Sequence, residues 1–161
     1  MMDKLRPCLW FDSDAQERAN FYVSLLPNSR IDAVHRSPSD YPAGKAGDVL
    51  TVEFTLAGRS YVGLNGGGGV PYTDAVSLQV DCADQAEVDR MWDAIVANGG
   101  QPVACSWIKD RWGLSWQIVP SALPRMLASP DRAAAGRAMQ AMMTMVKIDV
   151  AALEKAFAGT D

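Results

Sequence analysis

The sequence predicts an α+β fold made of two βαβββ modules, followed by a helical extension. The order strand, helix and several strands occurs twice along the chain, at an offset of roughly 68–70 positions. A glycine-rich segment at residues 65–71 separates the two copies, and the helix-forming tail has no counterpart in either. We therefore place the modules at about 1–68 and 70–120 and the extension at 121–161.

The first module opens with a short apolar strand over residues 5–11. Ser13 and Gln16 then form a capping-box pattern, in which a hydroxyl and an amide satisfy the first backbone N–H groups of a helix. Apolar residues at helical spacing extend this helix over about 14–26. A second strand is predicted at 31–35.

The clearest strand of the first module covers residues 48–57, with a hairpin partner at 60–64. Period-two alternation is typical of a strand that has one face buried and one face polar. The predicted buried face carries Leu50, Val52, Phe54 and Leu56, and the predicted polar face carries Thr51, Glu53 and Thr55.

The second module repeats this order. An alternating strand over 75–80 precedes an Asp-x-x-Glu helix start at Asp84, and the helix ends at 98–100, where asparagine and glycine tolerate left-handed geometry. Two further strands are predicted around 101–108 and 113–119.

The extension is predicted to be helical. Pro130 suits a first helical position and begins a helix over about 130–146, and Asp149 caps a last short helix over 150–158. We expect the first of these helices to bury an apolar stripe that consists of Met139, Met142, Met143 and Val146.

Composition restricts the function. The chain has 161 residues, 48% of them hydrophobic, and a formal net charge of −4. This composition excludes an intrinsically disordered chain, and the mild acidity offers no basic surface for nucleic acid. No apolar run approaches the roughly 18 residues of a membrane helix, and no signal peptide is recognised. Three cysteines without a paired motif predict free thiols and a cytoplasmic protein.

Several segments resemble the PhnB-like proteins, also labelled as a 3-demethylubiquinone-9 3-methyltransferase-type domain. The most specific is Lys-Asp-Arg-Trp-Gly-Leu-Ser-Trp-Gln at 109–117. The others lie at 7–12, 20–22, 49–54, 64–67 and 139–142. This group is a branch of the vicinal-oxygen-chelate, or glyoxalase/bleomycin-resistance, superfamily. The resemblance implies a cupped mixed sheet in each module and a cavity that a dimer partner often completes.

The resemblance also bears on metals. Metal enzymes of the superfamily place His or Glu ligands near the start of the first strand and the end of the fourth, and at the equivalent places of the second module. In this chain those positions fall at Pro7 or Cys8, Asn65, Ala75 or Val76, and Gln117. None is His or Glu, and amide oxygens are weak ligands for transition metals. We therefore expect no metal and no cofactor.

Glu53 is the candidate catalytic residue. A carboxylate on the polar face of a cupped strand would be partly desolvated, which would raise its pKa and let it transfer protons. The alternative is a solvated residue or an ion-pair partner of Arg59 or Arg111. His35, the lone histidine, is better explained as a surface residue at a strand end than as a base.

The same alternation predicts the residues that line the cups. Amides, hydroxyls and aromatic rings would suit a small polar or aromatic ligand. The predicted ligand-binding set is Tyr61, Asn65, Ser77, Gln79, Trp107 and Gln117. For Ser77 and Gln79, plain solvent exposure is the alternative, and Trp116 is assigned to the core.

The predicted function is that of a small-molecule-binding PhnB-like protein of unassigned reaction, metal-independent and homodimeric. The alternative is a non-catalytic protein that sequesters its ligand, as resistance-type members of the superfamily do. A metal-dependent lyase or dioxygenase is disfavoured by the ligand positions.

Overall fold

The structure is a computed structural model that describes residues 3–160. The chain forms two compact units, Met1–Val70 and Pro71–Asp161, and each is described by itself. Within residues 3–160, none of the helices has the length and apolar character that crossing a membrane requires.

Unit 1 contains a four-stranded mixed sheet and one helix. Its elements are β1 (Cys8–Phe11), α1 (Ala15–Leu25), β2 (Arg30–Arg36), β3 (Val49–Leu56) and β4 (Arg59–Asn65). The strand order is β1-β4-β3-β2; β1 runs parallel to β4, and the other pairs are antiparallel. Helix α1 packs against one face of this sheet.

Unit 2 repeats the arrangement. Its elements are β5 (Ser77–Cys82), α2 (Gln85–Ala97), β6 (Gln101–Pro102), β7 (Trp107–Lys109) and β8 (Ser115–Pro120). The order is β5-β8-β7-β6, again with one parallel pair, β5 and β8. The predicted α+β fold of two βαβββ modules is therefore confirmed.

The predicted start of α2 is confirmed, and that of α1 is wrong. Asp84 caps α2 as expected, since its side chain accepts a hydrogen bond from the Glu87 amide. At α1 the N-cap is Asp14 rather than Ser13, and its side chain makes no capping bond. The Oδ1 atom of Asn65 accepts from the Ala15 amide instead, over 2.9 Å.

The predicted strand over 101–108 is in fact two short strands, β6 and β7, separated by the loop 103–106. In this loop Cys105 and Ser106 have φ angles of 57° and 61°. These left-handed conformations are incompatible with a continuous strand. We call residues 103–106 the wall loop, for its position beside a cavity described below.

The extension contains three helices, α3 (Ala122–Leu127), α4 (Arg132–Met143) and α5 (Val150–Ala158). The sequence did not predict α3. The predicted start of α4 at Pro130 is also wrong, because Asp131 is the N-cap and accepts from the Ala134 amide. The Asp149 cap of α5 is confirmed, and the helix ends at Gly159 in a left-handed conformation.

The predicted burial of the methionine stripe is mostly wrong. Met139, Met143 and Val146 are 40%, 54% and 53% exposed. Only Met142 packs against the apolar core of the extension, together with Met145 from outside the stripe. The reason is that α4 buries its small residues instead, which allow close approach of neighbouring helices; they are Ala134, Ala135 and Ala138.

Candidate functional site

Each sheet has a face that points away from the helix that follows its first strand, and we call it the distal face. Directly paired residues on neighbouring strands project to the same face. In unit 1 one row of pairs consists of Cys8, Val62, Glu53 and Ala33. The next row consists of Trp10, Leu64, Thr51 and His35. The distal face of unit 1 therefore carries Glu53, as predicted, at its centre.

Glu53 is held by an arginine from the start of the chain. The Arg6 guanidinium makes two contacts of 3.1 Å with Glu53, one to each carboxylate oxygen. The hydrogen bond from Arg6 lowers the pKa of Glu53 below its usual value. The expectation of a raised pKa is therefore wrong. The alternative, an ion pair, is observed, but with Arg6 rather than with Arg59 or Arg111. At neutral pH Glu53 is an anion that can accept a proton or orient a cation.

His35 is an exposed residue near the end of β2, as the sequence indicated, and it also contacts Glu53. Its Nε2 atom lies 3.4 Å from Oε1 of Glu53, although its side chain is 55% exposed. The sequence did not indicate this contact, because residues 37–48 separate β2 from β3 and the register between the two strands shifts beside His35. Carboxylate and imidazole in contact form an arrangement that can orient the ring for proton transfer.

Tyr61 and Asn65 lie on the helix-covered face, so their predicted position in the cup is wrong. Tyr61 pairs with Phe54, and the two rings stack at 5.5 Å. Asn65 is 4% exposed, and its Nδ2 donates to the Val49 carbonyl. The error arose at the β3–β4 turn, since odd-numbered residues of β3 pair with even-numbered residues of β4. Asn65 thus lacks the geometric basis for ligand binding, whereas Tyr61 also lines a cavity of about 210 Å³ together with Arg6 and Glu53.

The distal face of unit 2 presents neutral polar groups and an indole. The β5–β8–β7 register places Gln79, Gln117 and Trp107 in one row. Gln117 donates from Nε2 to Oγ of Ser77 over 2.8 Å. The predicted placement of these four side chains on one face therefore agrees with the register, and Trp116 lies on the opposite face, 1% exposed.

A cavity of about 310 Å³ lies beside Trp107. The wall loop forms one side of it, with Val103, Ala104 and Cys105. At its polar end, Asp74 accepts a hydrogen bond from Oγ of Ser115 over 2.9 Å. The Asp74 carboxylate also contacts Nζ of Lys109 at 3.3 Å. The hydroxyl and then the ammonium group lower the pKa of Asp74, which is ionised at neutral pH.

The segment with the most specific resemblance, 109–117, has a structural role around Asp110. This carboxyl group is buried, and its Oδ1 accepts from the amides of Trp112 and Leu114. Its Oδ2 accepts from Nε1 of Trp116 over 3.1 Å. The motif therefore fixes the β7–β8 turn and seats the core tryptophan.

Among the residues at the superfamily's metal positions, only Cys8 carries a side chain that is a good ligand for a transition metal. Among residues 3–160 no three His, Cys, Asp or Glu side chains are grouped so that they could hold a metal ion. Asn65 uses both atoms of its amide in hydrogen bonds on the helix side of unit 1. Gln117 has only weak donor atoms to offer.

Two repeats of strand, helix and three strands define the class of two-module βαβββ proteins, which includes the glyoxalase/bleomycin-resistance proteins. The chain belongs to the family described as 3-demethylubiquinone-9 3-methyltransferase, whose family model matches residues 3–119. The extension from α3 onward lies outside this match.

Solved structures agree with this assignment. A Bacillus cereus PhnB protein of the 3-demethylubiquinone-9 3-methyltransferase type is 30% identical over 74% of this chain and 100% of its own, with a TM-score of 0.65. Protein PA1353 from Pseudomonas aeruginosa is 18% identical over 73% of this chain and 97% of its own, with a TM-score of 0.58, and supports the fold alone. A search of curated proteins finds no significant match.

Proposed function

We propose that this chain is a metal-independent, small-molecule-binding PhnB-like protein whose ligand lies on the distal face of unit 2. The observation that carries the proposal is the row of Gln79, Gln117 and Trp107 beside Ser77. Amides and hydroxyls both donate and accept hydrogen bonds, and an indole offers a flat apolar surface. A small polar or aromatic molecule matches this combination.

Methyl transfer, the activity in the family's description, finds no support in this chain. A Rossmann-type methyl-donor site would need a glycine-rich turn between a first strand and helix. The residues between β1 and α1 are Asp12, Ser13 and Asp14. The proposal therefore concerns binding and leaves methyl transfer aside.

Native mass spectrometry of the protein as purified tests the proposal. We expect a retained small molecule in the wild type and its loss in Trp107→Ala, with affinity reduced about tenfold or more, the equivalent of about 1.4 kcal/mol. Val96→Ala, which removes exposed apolar surface from α2, is the control and should retain the molecule. Equal retention by Trp107→Ala and the wild type would overturn the proposal.

Catalysis at Glu53 is a second candidate function, favoured by its contacts with Arg6 and His35. As an anion it would act as a base or orient the imidazole. If the retained molecule is turned over, Glu53→Gln should abolish turnover and leave its affinity within about twofold, because the amide keeps the shape of the side chain and loses the charge. Turnover that survives this change would exclude the role, and wild-type binding without turnover would indicate sequestration.

We also propose that the protein is a homodimer. The extension exposes three large apolar side chains, Met139, Met143 and Val146, and two-fold dimers are the commonest soluble oligomers. Sedimentation at micromolar concentration should give twice the chain mass of 17.4 kDa. Met143→Glu should shift the protein toward the monomer, whereas a wild type that stays at 17.4 kDa on concentration would reject the dimer.

A further inference from the structure

We propose that the C-terminal extension shapes one wall of the cavity beside Trp107 and so selects its ligand, a small planar molecule that presents an N–H group to Asp74. The inference rests on the proposed function, because Trp107 belongs both to the cavity lining and to the row that contains Gln117. It adds a role for residues that lie beyond the family match, which ends at residue 119.

The extension holds the wall loop through its backbone. The Cys105 amide donates to the Met145 carbonyl over 2.8 Å, and the Ser106 amide donates to the Val146 carbonyl over 2.7 Å. The Ile148 amide donates to Oγ of Ser106 over 2.9 Å. Two consecutive non-glycine residues with positive φ are unfavourable alone and persist where their surroundings fix them. Residues 145–148 supply those surroundings.

The extension is in turn anchored to α2. Gln85 donates from Nε2 to the Ile148 carbonyl over 3.1 Å, and its Oε1 accepts from the Val150 amide over 2.8 Å. Lys147 contacts Asp89 at 2.7 Å. Ile148 itself is fully buried in the apolar core of the extension. The segment 145–148, which contacts the wall loop, is therefore held in place by hydrogen bonds, by an ion pair and by apolar packing.

The anchoring also reaches the distal face. Val119 follows Gln117 by two residues on β8 and so shares its face, and Val119 packs against the apolar core of the extension. The extension therefore contacts both the wall loop and the strand that carries Gln117.

The cavity determines the ligand class. At about 310 Å³ it is at the small end of ligand pockets, which begin at about 300 Å³. Its sides are apolar or sulfur-bearing, and Trp107 supplies a flat ring on which a planar molecule can stack. At the polar end, the hydroxyl hydrogen of Ser115 is used in the hydrogen bond to Asp74. Both side chains therefore offer only acceptor oxygens to a ligand. Lys109 contacts the same oxygen of Asp74 as Ser115 does, Oδ1, and offsets part of its charge. The other oxygen, Oδ2, is the acceptor that a ligand N–H group would meet, and a ligand carboxylate is disfavoured beside it.

Tryptamine and indole-3-acetate test this inference, because they share a ring system and differ in the sign of their charge. Calorimetric titration of the full chain should give tighter binding of tryptamine, by about tenfold or more. Tryptamine should also slow the alkylation of Cys105 by iodoacetamide, measured in a Cys8→Ser background since Cys8 is exposed and Cys82 is buried. Indole-3-acetate that binds as tightly as tryptamine would overturn the ligand class.

Gln85→Ala tests the extension, because it loosens the anchor without touching a cavity residue. We expect tryptamine affinity to fall about tenfold and Cys105 alkylation to accelerate severalfold. Gln140→Ala, which removes an exposed amide from α4, is the matched control and should change neither. If Gln85→Ala does not fold, Lys147→Ala provides the same test through the ion pair with Asp89.

The outcomes separate the two proposals. Tryptamine binding that is lost in Trp107→Ala and unchanged in the anchor variants would overturn the role of the extension and leave the proposed function standing. If Trp107→Ala leaves both tryptamine binding and the molecule retained on purification unchanged, the proposed function fails, and this inference fails with it.

Discussion

Replacing Asp110 with alanine should lower the free energy of unfolding by about 3–5 kcal/mol, because it leaves two backbone amides and an indole N–H without their acceptor. Asp110 is 2% exposed, and its carboxyl group accepts hydrogen bonds from the amides of Trp112 and Leu114 and from Nε1 of Trp116. The substitution leaves all three donors without this acceptor. Each buried donor without a partner costs about 1–3 kcal/mol.

Chemical denaturation measures the loss of stability, and two further variants serve as comparisons. Asp110→Asn keeps the size of the side chain and replaces one acceptor oxygen with a donor, so we expect an intermediate loss. Asp93→Ala removes a surface carboxylate of α2 and should stay within about 0.5 kcal/mol of the wild type. An Asp110→Ala protein as stable as Asp93→Ala would show that the 109–117 motif has no structural role.

Replacing Phe54 with alanine should lower the free energy of unfolding by about 3–5 kcal/mol, which is the range for truncating a buried phenylalanine. Phe54 has no exposed surface and lies at the centre of the aromatic core of unit 1. Its ring centroid is 6.4 Å from that of Tyr22 and 5.5 Å from that of Tyr61. Truncation removes both ring contacts and leaves a cavity under α1.

Val34→Ala is the control for Phe54→Ala. Val34 is on edge strand β2, is 37% exposed, and should lose well under half as much stability. Equal midpoints for the two variants in a denaturant titration would contradict the assignment of Phe54 to the core.

The alternation of β3 was readable from the sequence because one face of that strand is buried and the other is polar. Val52 and Phe54 are fully buried, while Glu53 between them is on the distal face. The face of each β4 residue was not readable, because it depends on the number of residues in the β3–β4 turn. One residue of error in that turn transfers Tyr61 and Asn65 to the other face.

The chemistry of Glu53 depended on a contact that no local pattern contains. Its partner Arg6 is 47 positions away and meets it only because β1 and β3 flank β4 in the sheet. The sequence predicted a desolvated carboxylate with a raised pKa. In the folded protein the ion pair with Arg6 lowers the pKa of Glu53 and keeps it ionised.

The wall loop and α3 were missed for local reasons. The left-handed backbone at Cys105 and Ser106 is stabilised by hydrogen bonds with the extension. Cysteine and serine have no preference for positive φ, so the sequence did not indicate it. Helix α3 is short and contains Pro124 in its first turn, where a missing N–H group costs little.

Electron density for the protein as purified tests the central claim most directly. We expect a small molecule on the distal face of unit 2, stacked against the ring of Trp107 and within hydrogen-bond distance of the Gln117 amide. A molecule bound instead only at Glu53 on unit 1, with Trp107 and Gln117 packed against protein, would contradict the account.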